Sequence, residues 1–315
     1  MTGIAGQLAG ASANTEYLNY GQQIFDRPFG GLFSLFTQVL PCDGRALELD
    51  AIGPSSEAEE MLGSRVWTGF REYAKRAEVK PYSIKGVSLR RDRVEKDPTG
   101  AMAARLRDFL DGARDFWDKP VTDLLISNPT GIDGVALLSA SHPHGPDGAT
   151  WDNVTSSALS QTELKAGWVA MTSLRNERGA PMGIMPTHLM VGPKYYREAL
   201  DLTGSARPVP ISTAGAVDAT SGVQSAVLQE NWLKGQLQVI LNPRLVGTTT
   251  EDAWFLMDLS KSVRPIVAGE AIKPAAFVAT DANSAGMQNL SQYRYWVEGY
   301  AAIGGGVPHV IYGKA

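Results

Sequence analysis

Apolar residues recur at three- and four-residue steps through Met102, Leu106, Phe109, Leu110, Ala113, Phe116 and Trp117, the stripe of an amphipathic helix. Asp97 stands where a cap is needed, and Pro98 suits a first helical turn. Pro120 is expected to bend this helix without ending it, because Leu124, Leu125 and Ile126 continue the stripe up to Asn128-Pro129. The predicted helix covers 98–127, a spine of about 45 Å at about 1.5 Å per residue.

Upstream the period changes. Tyr82 and Ile84 alternate with polar residues, and after Gly86 the phase shifts to Val87 and Leu89. A glycine at a phase shift predicts a β-bulge. Segment 64–97 is read as two extended strands forming a long hairpin, opened by the mixed charges of Arg71, Glu72, Lys75, Arg76, Glu78 and Lys80. Downstream, Ser160 and Glu163 have capping-box spacing, with Leu164, Trp168 and Met171 as the buried stripe and Gly179 as the stop. Val135–Leu138 and His188–Val191 read as short buried strands, and Pro193 to Leu202 as a helix. Leu237–Leu241, Trp254–Leu259, Tyr293–Val297 and His309–Tyr312 read as strands. Helices and strands mix without a regular β-α-β rotation, so the predicted class is α+β.

Residues 1–30 are rich in Gly, Ala, Ser, Asn and Gln and show no convincing period. Tyr17, Tyr20, Ile24 and Phe25 suggest an arm that orders by packing on something else. With 315 residues and 43% hydrophobic content, the rest has ample material for a large core. The net charge of −4 argues against a protein that grips nucleic acid through many phosphates. Arg27 is the first positive residue, so a secretory leader is not expected. The apolar stretch Pro28–Cys42 is too short to span a bilayer. The expectation is a soluble protein with no membrane partner.

Chemistry is sparse. Cys42 is the only cysteine, so an internal disulfide and a cysteine zinc site are excluded. No phosphate-cradling or dinucleotide loop occurs, and Gly304-Gly305-Gly306 reads as a tight turn or a close backbone approach. Ser139, Ser141, His142 and His144 lie together, as a nucleophile and base would. A catalytic pair needs a third orienting group from elsewhere, and Gly145-Pro146-Asp147-Gly148 is turn chemistry, so a polar loop is the plainer reading. His142 and His144 lack a third metal ligand nearby, and His188 and His309 are distant in sequence. Asn153-Val154-Thr155 and Asn289-Leu290-Ser291 match the glycosylation pattern by chance. No catalytic, cofactor or metal residue is assigned.

Several local patterns nonetheless share an order. Tyr82–Leu89 leads through Arg91–Asp97 into the long helix, with Glu95 and Asp97 split by Lys96 where an uninterrupted acidic pair is usual. Leu137-Leu138-Ser139 runs to His142-Pro143, and Met185–Val191 runs to Gly192-Pro193. Asn242-Pro243-Arg244-Leu245 precedes Asp252–Leu256, and Tyr295–Tyr300 precedes a glycine-rich bend and a last strand. In this order and spacing the chain resembles the Mu-like major head protein family of tailed bacteriophages, from Arg65 to the C-terminus.

That resemblance implies the tailed-phage major capsid fold, with an N-terminal arm over 1–61 and an extended hairpin loop over 62–97. It implies a peripheral domain over 98–185 and 286–315 built on the spine helix, and an axial domain over 186–285. It implies pentamers and hexamers closing an icosahedral head in the virion. The implied partners are copies of itself, scaffolding protein, portal, a decoration protein and, non-specifically, packaged double-stranded DNA, with assembly in the host cytoplasm. Arg71, Lys75, Arg76, Lys80, Arg90 and Arg91 are the expected inter-subunit contacts, and Leu106, Leu110 and Trp117 the expected packing positions of the spine. The rival readings are an encapsulin-like nanocompartment shell of the same fold and, more remotely, a serine hydrolase using Ser139 or Ser141 with His142.

Overall fold

The computed structural model describes residues 2–26, 31–40, 42, 44–52, 72–97, 99–143, 149–176, 179–204, 233–247, 250–280 and 291–315. In chain order the elements are α1 (Thr2–Phe25), α2 (Gly31–Phe36), β1 (Thr37–Leu40), β2 (Ala46–Ile52), β3 (Glu72–Glu78) and β4 (Lys80–Arg90). There follow α3 (Arg91–Glu95), α4 (Ala101–Gly112), α5 (Asp118–Ile126), α6 (Gln161–Thr172), β5 (His188–Val191), α7 (Tyr196–Thr203) and β6 (Gln238–Leu241). The chain ends with β7 (Trp254–Met257), β8 (Ile266–Ala279), β9 (Gln292–Gly305), a single turn at Pro308–Val310 and β10 (Ile311–Lys314). The mix is α+β, as expected.

The chain forms two compact units, one of 1–50, 74–124 and 266–304, the other of 51–73, 125–265 and 305–315. These boundaries differ from the arm, hairpin, peripheral and axial divisions read from the sequence.

The first unit holds a four-stranded sheet of order β1-β8-β9-β4. β1 runs parallel to β8 and β4 antiparallel to β9. The β4–β9 register slips between Ile84 and Val87, so the bulge predicted at Gly86 is present. A Cβ on Gly86 would lie 2.8 Å from the Tyr295 carbonyl oxygen, which explains why only glycine fits. The predicted hairpin is corrected. β3 and β4 are separated by Val79 alone, too little chain to reverse, and they pair with different partners. β3 joins β2 in a two-stranded sheet, while β4 joins β9.

The reading of residues 1–30 as lacking a period is also corrected: Thr2–Phe25 is the helix α1. Its buried positions Ala13, Tyr17, Ile24 and Phe25, with Gly21 between, fall at helical steps. A Cβ on Gly21 would come 2.5 Å from the Ala276 Cβ of β8, so the missing side chain lets helix and strand approach. Tyr17 meets Tyr295 edge-on at 5.1 Å and donates to the Trp296 carbonyl at 3.1 Å.

The spine is two helices, not one. Pro120 has no N–H for the Phe116 carbonyl, and its ring would collide with that carbonyl in a continuous helix. The chain therefore turns at 113–117 and restarts as α5, which puts Pro120 in a first turn where no donor is needed. α4 starts at Ala101, after Gly100 at the N-cap position and not at 98 as predicted, and Asp97 reaches its first turn from outside: Oδ2 accepts from the Met102 N–H at 2.7 Å and Oδ1 from the Thr99 N–H at 3.2 Å. These N–H groups hold the Asp97 carboxyl below the usual range.

The second unit is built on the sheet β10-β7-β5-β6. β7 is antiparallel to both β10 and β5, and β5 is parallel to β6. Leu189, Val191, Trp254 and Leu256 form its core with Leu164 and Met171 of α6, Ala199 of α7 and Tyr312. Ser160 caps α6, its hydroxyl accepting from the Glu163 N–H at 3.2 Å. α6 stops at Thr172 rather than at Gly179, which instead sits in a separate turn at φ 81°. Leu137 and Leu138 are buried, but Val135–Leu138 forms only an isolated bridge, Thr130 to Ala136, and not a strand.

Candidate functional site

His142 is fully buried on the loop that the sequence marks as its best catalytic temptation. Its ring stacks on Trp151 at 4.4 Å. Nδ1 lies 2.7 Å from the Asp133 carboxylate, so an orienting group is present that the sequence did not reveal. Nε2 lies 2.9 Å from Asn153 Oδ1, not against a serine. Asn153 fixes the direction of that bond. Its Nδ2 donates to the carbonyls of Leu137, Pro308 and Ile311 at 2.8, 3.0 and 3.2 Å, which leaves Oδ1 as the acceptor. Oδ1 also accepts from the Ser139 N–H at 2.8 Å. Nε2 therefore carries the hydrogen it donates and has no lone pair for a serine hydroxyl. The Ser139 hydroxyl accepts from the Ser141 N–H at 3.2 Å, as in a turn. The cluster is a buried polar clasp joining the loop to the C-terminal strand.

Among the described residues no group of histidines, cysteines and carboxylates is set to hold a metal. His144 and Asn289 lie outside the described residues. Cys42 is half-buried and donates to the Ala46 carbonyl at 3.4 Å. The glycine run makes a close backbone approach: a Cβ on Gly305 would overlap the Thr130 carbonyl oxygen. No described helix is long and apolar enough to cross a membrane.

The described charged positions expected at subunit contacts fall on β3, β4 and α3. Arg71 lies outside the described residues, Lys75 is half-buried on β3, and Arg76 and Lys80 are exposed on β3 and β4. Arg90 pairs with Asp92 at 3.1 Å and Arg91 with Glu95 at 2.6 Å. Glu95 also accepts from the Tyr293 hydroxyl at 2.9 Å, so Arg91 is drawn into the fold of its own chain.

Leu106, Leu110 and Trp117 are buried in the first unit. Trp117 meets Phe116 and Tyr82 edge-on at 4.7 and 5.5 Å and lies against Phe33 at 6.4 Å. Its indole N–H donates to Glu270 Oε1 at 3.2 Å, and burial pushes the Glu270 carboxyl upward. Asp133, Asn153 and Glu270 escaped sequence reasoning because each is a lone polar residue whose partners come from distant segments. The one local signal was Asn153 beside a histidine loop.

A family model described as phage capsid protein matches residues 72–308. No curated protein matches the chain in sequence. Several solved structures share the fold. The capsid protein of Ralstonia phage GP4 aligns at a TM-score of 0.55 and 12% identity, over 91% of this chain and 91% of that one. The procapsid protein of bacteriophage JBD30 aligns at 0.54 and 15% identity, over 96% of this chain and 73% of that one. A chain from the bacteriophage JBD30 capsid aligns at 0.51 and 10% identity, over 90% of this chain, which spans 64% of its length. At such identities the likeness is one of fold.

Proposed function

The chain belongs to the phage capsid protein family and is a major capsid protein with the tailed-phage capsid fold, and from that premise we propose that it self-assembles into the pentamers and hexamers of an icosahedral head around double-stranded DNA. The observation that carries this reading is the family match over 72–308, most of the chain. Its place is the virion capsid, with assembly in the host cytoplasm. Within the family the proposed subtype is the Mu-like major head protein, supported by the ordered motifs from Tyr82 to Tyr300. Scaffolding protein and portal are proposed assembly partners. A decoration protein is proposed on the outer surface, since a JBD30 capsid is decorated with minor capsid protein trimers. The net charge of −4 fits a wall that touches DNA weakly and non-specifically.

The division into arm (1–61), extended loop (62–97), peripheral domain (98–185 and 286–315) and axial domain (186–285) is part of the same proposal. So are inter-subunit contacts by Arg71, Lys75, Arg76, Lys80, Arg90 and Arg91. A narrow two-stranded ribbon such as β2–β3 is marginal in water alone, which favours its use against a neighbour. The encapsulin-like shell is the weaker reading, because the matching family is that of phage capsid proteins. The hydrolase reading loses its base to Asn153.

Negative-stain electron microscopy with light scattering tests the reading on protein co-expressed with its phage's scaffolding protein. Closed shells, or rings of five or six subunits, are expected. A monodisperse monomer under those conditions overturns it, and shells that purify with an enzyme cargo favour the nanocompartment.

A further inference from the structure

Helices cover one face of the four-stranded sheet in the first unit. Tyr295 of β9 meets Tyr17, Ala276 of β8 meets Gly21, and Tyr82 of β4 meets Trp117. Side chains alternate along a strand, so the neighbours of these positions point the other way. They are Lys273 and Phe277 of β8, Arg294 and Trp296 of β9, and Ser83 and Lys85 of β4. The strand pairing agrees: Ser83 lies opposite Glu298 and Ser88 opposite Arg294, and Phe277 stacks on Trp296 at 5.6 Å. On β4 this second row is exposed, while Tyr82, Ile84, Val87 and Leu89 are half-buried.

The uncovered face is basic, in a chain whose net charge is −4. Lys85, Lys273 and Arg294 are exposed, and no ion pair or hydrogen bond joins their side chains to a described residue. Glu298 is on this face, but its carboxylate accepts from the Trp296 indole N–H at 3.2 Å. Glu270 is turned to the other face, where it accepts from Trp117. Pro274 lies against Gly299, which puts Lys273 about 20 Å along the sheet from Arg294. A single small anion cannot reach all three cations, whereas an extended polyanion can. One DNA strand sets a phosphate about every 3.4 Å along its axis. We propose that this face binds the phosphate backbone of packaged duplex DNA, with Lys85, Lys273 and Arg294 as the contacting cations. The proposal rests on the reading of the chain as a shell subunit around DNA.

Residue types decide between DNA and a protein partner. The Phe277–Trp296 pair would suit a protein, since aromatic residues are enriched at protein interfaces. Lysine and serine are depleted there, and both are common contacts of DNA phosphates. Beside the aromatic pair the face carries Lys85, Lys273, Ser83 and Ser88, which favours the phosphate backbone. The Trp296 N–H is already taken by Glu298, so it is not free to read a base edge. Contact is therefore with the backbone and carries no sequence preference. Three phosphate contacts give a log–log salt slope of about −2.7, a loss of about 40-fold in affinity between about 50 and about 200 mM salt.

Fluorescence anisotropy of a labelled DNA duplex, titrated with the full-length unassembled subunit over that salt range, reads this directly. Lys85→Ser/Lys273→Ser/Arg294→Ser is expected to flatten the slope by about 2.7. Its melting temperature should stay within about 2 °C of wild type, because all three side chains are exposed. Arg105→Ser/Arg114→Ser/Lys165→Ser removes the same charge from exposed positions on α4, the turn after it and α6, and should leave the slope unchanged. No binding by wild type at about 50 mM salt, an unchanged slope in the first variant, or an equal loss in the second overturns the proposal. Shell formation is scored separately by electron microscopy. A first variant that loses shells but keeps the wild-type slope assigns the face to contacts between copies and also overturns the proposal. Wild type that shows the slope without forming shells removes the shell reading and still supports the face.

Discussion

The Asp118 carboxylate accepts a 2.8 Å hydrogen bond from the backbone N–H of Phe33, and its second oxygen takes the Leu32 N–H at 3.3 Å. These are first-turn donors of α2, which have no partner inside their own helix. A residue that opens α5 thus caps a helix that precedes it by more than eighty positions. Asp118 is itself buried, so truncation strands two N–H groups away from water. Asp118→Ala is expected to cost about 2–3 kcal/mol in urea unfolding. Asp118→Asn keeps one acceptor and should recover part of that loss. Equal stability of Asp118→Ala and wild type would show that the cap contributes nothing.

Asn153 supplies a test with a pH signature. Three carbonyls face its Nδ2, so Asn153→Asp replaces a donor with an acceptor among acceptors. The new carboxyl is forced to stay protonated in the fold, which raises its pKa above the unfolded value of about 3.9. Stability is then retained below that value and lost as pH rises through it. Asn153→Asp should unfold more easily at neutral pH than at about pH 4, and Asn153→Ala should show no such slope of its own. Thermal melts of both variants against wild type across pH check this.

Glu270 has the same sign from a natural group. Burial raises its carboxyl, so the fold favours the neutral form and loses stability as pH rises past the ordinary carboxylate range. Glu270→Gln retains an acceptor for the Trp117 indole without the buried charge. It is expected to be at least as stable as wild type at pH 8 and to show a flatter pH profile. A loss of stability at pH 8 would mean that the charge itself is needed.

Periodic patterns made parts of this fold legible and hid others for physical reasons. The β4 bulge was readable because Gly86 sits where the alternation slips. Ser160 and Glu163 announced α6 by spacing. α1 was hidden because two of its packing positions, Ala13 and Gly21, are small, and small residues carry no hydrophobic signal even where they set the closest approach. The break at 113–117 was missed because Pro120 was given a bend, whereas its demand on the carbonyl four residues earlier moved the interruption upstream. The Asp133–His142–Asn153 clasp depends on loop geometry that no period encodes. That the chain is a phage capsid protein was legible from the order of weak motifs, while the site was not.

Gly86 converts that register slip into a measurable constraint. Its missing Cβ leaves room for the Tyr295 carbonyl, which a side chain would meet at 2.8 Å. Gly86→Val should therefore strain the β4–β9 ladder by about 1–3 kcal/mol, although valine ordinarily favours strands. The same substitution at Ser88, exposed on the same strand, serves as the control and should change stability by under about 0.5 kcal/mol. Similar effects at both positions would remove the role given to the bulge.

The charged residues near the ribbon separate fold from assembly. Arg76 and Lys80 are exposed, and no ion pair joins either to a described residue. Arg91, by contrast, is bound to Glu95, whose carboxylate also holds Tyr293 of β9. Reversing Arg76 and Lys80 together should leave the melting temperature of the unassembled subunit within about 2 °C of wild type, since exposed substitutions change stability little. If these positions meet acidic groups of a neighbour, the reversal should sharply reduce shell yield by electron microscopy and light scattering. Arg91→Glu should lower the subunit's melting temperature first, because it sets two carboxylates against each other at the end of β4. Normal shell yield from the Arg76→Glu/Lys80→Glu variant would take these two residues out of the assembly contact, whatever the remaining arginines do.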